Sequence, residues 1–572
     1  MAFYPVKLPS SSFAYLKKLI SEYQFEVTVP HLIYALLGGF VVLFGMFSLL
    51  LRERLYVGEA CWAFLFGIAM GPFGANIFNP RGWGDHSDET TNVITLEFTR
   101  VVLAIGVFAI GVELPKAYMA RHWKSIFYLL VPVMTFGWFV CAGLIYALVP
   151  ALNFRSALVI AACLTPTDPI LAAAVVGGKY ADKHVPAHIR HLLAAESGCN
   201  DGAAFPFLFL ALYLIIDDPN VGSAVKDWFL ILWLYQIILG TAIGAGVGFG
   251  FRHLMKFCEQ KNLIDRHSYI AQYISLAIFT VGITVLLGSD DLLATFACGA
   301  AFAWDGFFNR QTEESNFSSV IDLLFNIATF IYLGAWIPFD HYDDPALTLT
   351  VWRLVLIALL ILLLRRLPIM IALYKWIPDI KTFREAVFCG HFGPMGVGAV
   401  FISTLAAEFL HKRAGENATE QTHILEESLQ PIVSFMVLVS IIIHGLSIPS
   451  FSLGRRVHSI SRTWSRHAPQ PDWADSTKVV GRGDANIVIN RDEADLEKGE
   501  YSPEGASVMR DEEKLGESSM SSKEREEAMK EEVPADGMEI LAEWQEGPHT
   551  VIERRAGPGE EVGSSCCPWR RT

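Results

Sequence analysis

The chain has 572 residues, 52% hydrophobic and 18% charged, with a mean hydropathy of +0.37 and a formal net charge of −14. That balance gives no sign of a nucleic-acid partner, and the averages conceal two unlike parts. Residues 31 to 449 are dominated by apolar runs, whereas residues 455 to 572 are rich in Glu, Lys, Ser and Gly. The first part reads as a polytopic membrane domain. The second is expected to be a disordered cytoplasmic tail, because it lacks the apolar surface that offsets the entropy of folding. Nine cysteines show no CxxC or Cys/His metal spacing and read as small core residues. The exception is Cys566-Cys567, adjacent near the C-terminus, where palmitoylation is conceivable.

Residues 1–30 lack the apolar core and small-residue cleavage site of a signal peptide, and Phe13 to Ile20 are expected to form a short amphipathic helix. At about 1.5 Å per residue, roughly 20 apolar residues cross a bilayer. Thirteen segments qualify: 31–51, 55–79, 93–114, 125–149, 155–176, 188–216, 229–251, 269–288, 291–308, 320–339, 351–374, 384–410 and 430–450. Only Gly288-Ser289-Asp290-Asp291 separates the eighth from the ninth, so twelve is the alternative count. With the N-terminus outside, the inner loops carry sixteen Lys and Arg and the outer loops five, which supports thirteen spans and a tail inside. The sequon Asn417-Ala418-Thr419 falls on the outer face.

Thr165-Pro166-Thr167-Asp168-Pro169 lies within the fifth span. Pro166 and Pro169 each remove a backbone donor and free a carbonyl one turn earlier, so the helix is expected to break there. Irregular backbone at membrane depth is tolerated where it lines a cavity, and its carbonyls and half-helix dipoles can bind ions. Asp168 fits two compatible roles, capping a half-helix and joining an ion site. In the sixth span, Glu196 and Asn200, and Ser197 and Asp201, stand four residues apart on shared helix faces. A carboxylate at bilayer depth is costly, and such residues usually mark ion or proton pathways. Asp201 is the candidate carrier, because a proton and a small cation competing for one carboxylate give exchange without further machinery. Glu196 needs a partner, and Arg365-Arg366 lies mid-span in 351–374; a structural ion pair there is favoured over direct ion contact.

Gly390-His391-Phe392-Gly393-Pro394-Met395-Gly396-Val397-Gly398 predicts a second break, at Gly393-Pro394. With the seventh span as connector, the two breaks fall at equivalent positions of two six-span halves, as an inverted-repeat transporter requires. His391 is read as a packing histidine ahead of a proton relay. Asp290 and Asp291 are read as lining an entrance funnel that attracts cations. The glycines of 240–250 read as close helix packing. No phosphate loop, zinc spacing or nucleophile elbow is present, so neither enzyme chemistry nor a cofactor is expected.

Gly111-Val112-Glu113-Leu114-Pro115, Thr165 to Pro169, Ala194 to Gly202, Gly288 to Ala294 and Gly390 to Gly396 occur in that order. Together they resemble the cation/proton antiporter-1 superfamily, and in particular its fungal plasma-membrane Na+(K+)/H+ antiporters. The resemblance covers about residues 30 to 465. It implies Asp201 as the ion- and proton-binding carboxylate, with Asp168, Thr167 and Ser197 around Na+. Asn200 and a Glu196–Arg366 pair would hold the crossing helices, with Arg365 as the alternative partner. The implied fold is all-α, with about 13 transmembrane helices within residues 31–452. Its transport core (about 125–216 and 351–450) would move against a dimer-forming scaffold (about 31–114 and 269–339). A homodimer in plasma-membrane lipid would exchange cytoplasmic Na+, Li+ or K+ for external H+ by alternating access, serving salt tolerance and pH homeostasis. The tail, 453–572, resembles the fungal proteins only at Gly454 to Trp464; it offers Ser and Thr sites to kinases or regulatory proteins. Two rivals are a proton-coupled carrier of an organic solute, for which no large polar cluster is visible, and a non-transporting membrane receptor.

Overall fold

The computed structural model describes residues 28–51, 57–83, 87–169, 171–172, 185–308, 317–414 and 419–462, together with four short strands of the tail. The helix expected at 13–20, the Asn417 sequon and Cys566-Cys567 lie outside the described residues. Up to Arg456 the chain forms one unit, and its described elements are helical. They are α1 (Val29–Leu49), α2 (Glu59–Met70), α3 (Asp88–Glu113), α4 (Trp123–Leu148), α5 (Phe154–Cys163), α6 (Ala187–Ile216) and α7 (Val221–Gln260). There follow α8 (Arg266–Leu286), α9 (Asp291–Phe302), α10 (Phe317–Trp336), α11 (Val351–Trp376), α12 (Phe383–His391), α13 (Val397–Ala414) and α14 (Glu420–Arg462). By length and composition, seven described helices can cross a membrane: α1, α3, α4, α6, α7, α11 and the Glu420–Ser447 part of α14. Five more apolar helices are shorter, among them α2, α5 and α9.

The helix starts follow local chemistry. Asn153 and Asp265 cap α5 and α8 by accepting from the backbone N–H groups of Ser156 (2.8 Å) and Ser268 (3.0 Å). Thr382 and Glu385 form a capping box on α12. Apolar segments and helices do not coincide everywhere. The second segment, 55–79, is helical only over Glu59–Met70 and ends at Gly71, whereas α7 runs well past both ends of 229–251. Helix α11 is interrupted at Arg365-Arg366, just before Pro368. Pro368 cannot donate to the carbonyl one turn back, so the helix can open at the two arginines.

Small residues bring backbones together where apolar side chains alone would hold them apart. Gly240 of α7 lies against Ser289–Asp290 just before α9, and Gly244 and Gly248 lie against Ala294 and Cys298 within it. Gly111 of α3 meets Phe296 and Ala300 of α9, while Gly67 of α2 and Gly334 of α10 lie on the backbones of Ile331 and Phe64. These contacts tie α2 to α10, and α3 and α7 to α9.

The second unit, Val457–Thr572, departs from an expectation of no regular structure. Strands β1 (Asn486–Arg491), β2 (Ile540–Glu546), β3 (His549–Arg555) and β4 (Gly563–Ser565) form a sheet in the order β2-β3-β1-β4. β1 runs parallel to β3, and the outer pairs are antiparallel. Averaging composition over the whole tail hid these short runs of β-branched and aromatic residues, which favour strands locally.

A Cβ placed on Gly244 would collide with the Ala294 carbonyl, whereas nothing lies within 4 Å of one on Gly246. Gly244→Val is therefore expected to cost about 1–3 kcal/mol by overpacking and to lower the melting temperature in detergent. Gly246→Val, two residues away, should leave the melting temperature nearly unchanged.

Candidate functional site

The two interruptions meet each other. Leu164–Asp168 follows α5, and Phe392–Gly396 separates α12 from α13. The Asp168 N–H donates to the Pro394 carbonyl at 2.7 Å. The Asp168 carboxylate then caps two helix starts at once. Its Oδ1 accepts from the Leu171 N–H (2.8 Å), and its Oδ2 from the Val397 N–H that opens α13. Gly396 permits this, since a Cβ there would press onto Asp168 Oδ2. Of the two compatible roles read for Asp168, capping is the one its contacts display.

Freed carbonyls at membrane depth were expected to be available to ions, but a cation of the protein already holds them. Arg365 Nη1 donates to the carbonyls of Leu164, Thr165 (3.4 Å) and Pro166 (3.2 Å), and its Nη2 to that of Gly393. One guanidinium therefore spans both interruptions. On the far side of the second, Ser440 Oγ of α14 accepts from Met395 N–H (2.7 Å), and His444 Nε2 lies 3.1 Å from the His391 carbonyl. His391 itself bonds Ser447 Oγ through Nε2 at 3.0 Å, within the packing between α12 and α14.

Glu196 pairs with Arg366 rather than Arg365. The contact is bidentate, at 2.5 and 2.6 Å, with Arg366 Nε also donating to the Cys389 carbonyl at 2.7 Å. Glu196 is 1% and Arg366 5% exposed, so both charges depend on this geometry. One turn along α6, Asn200 Nδ2 donates to Thr167 Oγ1 at 2.7 Å, and Thr167 Oγ1 lies 2.9 Å from Ser197 Oγ. The hydroxyls of Thr167 and Ser197 thus bridge the first interruption to α6.

Asp201 is different. It is 1% exposed, and neither carboxylate oxygen has a hydrogen-bond partner. Asn200 Oδ1 is likewise buried and unpartnered. A Cβ on Gly398 would press onto Asp201 Oδ1, so the first turn of α13 approaches Asp201 as well as Asp168. The positive end of the α13 dipole faces both carboxylates.

The reading of Asp290 and Asp291 needs correction. They do not line a solvent-facing funnel, being 1% and 5% exposed at the start of α9. Asp290 caps α9 by accepting from Leu293 N–H (2.9 Å), and Asp291 faces Arg100 of α3 at 2.8 Å. A short loop between two apolar runs looks external in sequence, but α7 and α9 close over this one through their glycine contact.

A profile of the family described as "Sodium/hydrogen exchanger, transmembrane" matches residues 39–453. The chain belongs to the sodium/hydrogen exchanger family. It is 47% identical over 452 residues to a probable Na+/H+ antiporter of Schizosaccharomyces pombe, covering 77% of this chain and 59% of that one. It is 43% identical over 502 residues to a Na+/H+ antiporter of Saccharomyces cerevisiae, covering 83% and 50%. A second S. pombe Na+/H+ antiporter is 40% identical, with 91% of its length covered. The chain spans 50–59% of the length of the first three curated relatives. In fold it is similar to the sodium proton antiporter MjNhaP1 of Methanocaldococcus jannaschii, with a TM-score of 0.54 at 18% identity, covering 74% of this chain and 99% of that one.

Within this exchanger fold, sequence reasoning missed the Arg365 clamp, the supports on α14 and Arg100. Pro368 beside the arginines was the available signal for the first; Ser440 and His444, four residues apart on one face, were a weaker one for the second. Arg366→Ala would strand Glu196 as an uncompensated buried charge. It is expected to cost about 3–5 kcal/mol, seen as a large drop in melting temperature in detergent. Combining it with Glu196→Gln should recover part of that loss.

Proposed function

We propose that this exchanger carries out secondary active antiport of cytoplasmic Na+ against external H+, with Asp201 as the carrier. The observation that carries the reading is a fully buried carboxylate whose two oxygens have no partner, beside two interrupted helices whose other polar groups are engaged. A carboxylate so placed needs a positive charge from outside the protein, and a proton or a bare cation each supplies one. Because both claim the same oxygens, loading one requires release of the other. Asn200 Oδ1 adds a neutral oxygen of the hard type that suits small cations, and Thr167 and Ser197 position Asn200. The names of the relatives support Na+ as the cation; Li+ and K+ are extensions of the same chemistry. One uncompensated carboxylate at the crossing suits one-for-one exchange.

Alternating access, with the broken-helix core moving against α3 and α9, completes the cycle. Loop charge supports a cytoplasmic tail, and we assign the protein to the plasma membrane with a role in salt tolerance and pH homeostasis. Exposed apolar side chains on α1, including Val42, Leu43, Met46 and Phe47, suit lipid or a second copy in a homodimer.

Purified protein in vesicles with a preset pH gradient should dissipate it on addition of Na+ or Li+ but not choline. Asp201→Asn is expected to reduce the response to that of empty vesicles without lowering the melting temperature, because it removes an unpartnered charge. Asp168→Asn should lower both, since an amide can accept only one of the two caps, a loss of about 1 kcal/mol. Full Na+-dependent flux in Asp201→Asn would overturn the carrier assignment.

A further inference from the structure

We propose that Arg81, Asn92 and Gln430 form a latch that closes the outer face of the exchanger and must open before Asp201 can be reached from outside. The proposal rests on the exchange reading above, in which the broken-helix core moves against the scaffold, and on the side that loop charge supports. Arg81 lies in the turn between α2 and α3, and two contacts tie it to α10. Its Nε donates to the Trp336 carbonyl at 2.7 Å, and its guanidinium stands 4.6 Å from the centroid of the Trp336 ring. Both residues fall in the scaffold. The link to the core is Gln430 of α14, whose Oε1 accepts from Arg81 Nη2 at 3.4 Å. Its Nε2 donates back to Asn92 Oδ1 of α3 at 2.7 Å. Both ends of one amide of the core are therefore held by the scaffold.

Burial changes abruptly below these three residues. Arg81, Asn92 and Gln430 are half-buried, whereas Thr95 and Thr99, one and two turns further along α3, are 0% exposed, as is Trp336. Solvent exposure thus ends at the latch. One turn beyond Gln430, Ser434 Oγ lies 3.2 Å from the Tyr342 hydroxyl, and further along that face of α14 Gly445 lies on Cys61 of α2. An adjacent face of α14 carries Ser440 and His444, which support the second break. Helix α14 therefore joins the crossing to the scaffold, and its side-chain amide contact with the scaffold lies at the outer end. Hydrogen bonds at a water boundary exchange for bonds to water at small net cost. A closure made of them can open and reseal in each cycle, as alternating access requires.

Position 430 can be loosened or tightened without touching Asp201. Gln430→Ala removes both contacts across the boundary, whereas Gln430→Glu turns the Arg81 contact into an ion pair. The reporter is Thr95→Cys, read with a membrane-impermeant maleimide outside intact cells, above the signal of the same protein without it. Adding Gln430→Ala should speed labelling of that thiol about tenfold, and Arg81→Gln should act in the same direction. Gln430→Glu should slow labelling and lower the maximal rate of exchange in vesicles, with KM for Na+ near the wild-type value. Labelling unchanged by Gln430→Ala, or accelerated alike by Ala and Glu, would overturn the latch. Failure of the wild-type protein to respond to Na+ in vesicles would instead overturn the exchange reading on which it rests.

Discussion

Backbone that unwinds inside a bilayer has no water to satisfy the groups it frees, so an interrupted helix persists there only if the protein supplies every partner. In this exchanger the two interruptions supply much of each other's need. Asp168 donates its N–H to Pro394 and caps both the chain beyond the first break and α13 beyond the second. Arg365 gathers carbonyls from both sides of the crossing, and Ser440 and His444 of α14 complete the second break. Neither break is stable as an isolated motif. Each is the condition for the other, which is why Gly393-Pro394 and Thr165 to Pro169 must be read as one device.

Charge at the crossing then balances in pairs. Glu196 and Arg366 neutralise each other through a bidentate contact. Arg365, held on carbonyl oxygens, and Asp168, held on N–H groups, are of opposite sign and lie on the same two segments. These two balances leave Asp201 as the carboxylate with nothing of the protein opposite it. That contrast supports the carrier reading proposed for Asp201: Glu196, Arg366, Arg365 and Asp168 each have partners within the protein. The Thr167 and Ser197 hydroxyls face one another beside it.

Much of this was legible in the sequence, for reasons of period. Prolines at 166, 169 and 394 remove donors whatever the tertiary structure, so both breaks could be placed. Helical spacing put Glu196, Asn200 and Asp201 on one span, and the need of a buried acid for a base pointed to Arg365-Arg366. Choosing between two adjacent arginines was beyond periodicity, because their directions depend on an interruption in α11 that only the crossing creates. Asp290 and Asp291 were misread for a related reason. Whether a loop faces water depends on what packs over it, and here that is decided by glycines of α7 some fifty residues away in sequence.

Helix α6 shows how one segment can serve two neighbours. Glu196 and Asn200 point to Arg366 and the first break, while Gly198 and Gly202 face α9 on another side. A Cβ on Gly198 would stand 2.7 Å from the Phe296 ring and 3.0 Å from Ile110, so any side chain there would force α6 away from α9 and α3. The polar stripe therefore fixes α6 to the broken helices, and the glycine stripe lets it lie close to the helices beyond. Asp201 sits where the two stripes adjoin, fixed by both and bonded by neither. A carboxylate in that position meets a firm backbone on each side and finds no fixed partner, which is the arrangement a reversibly bound cation or proton requires.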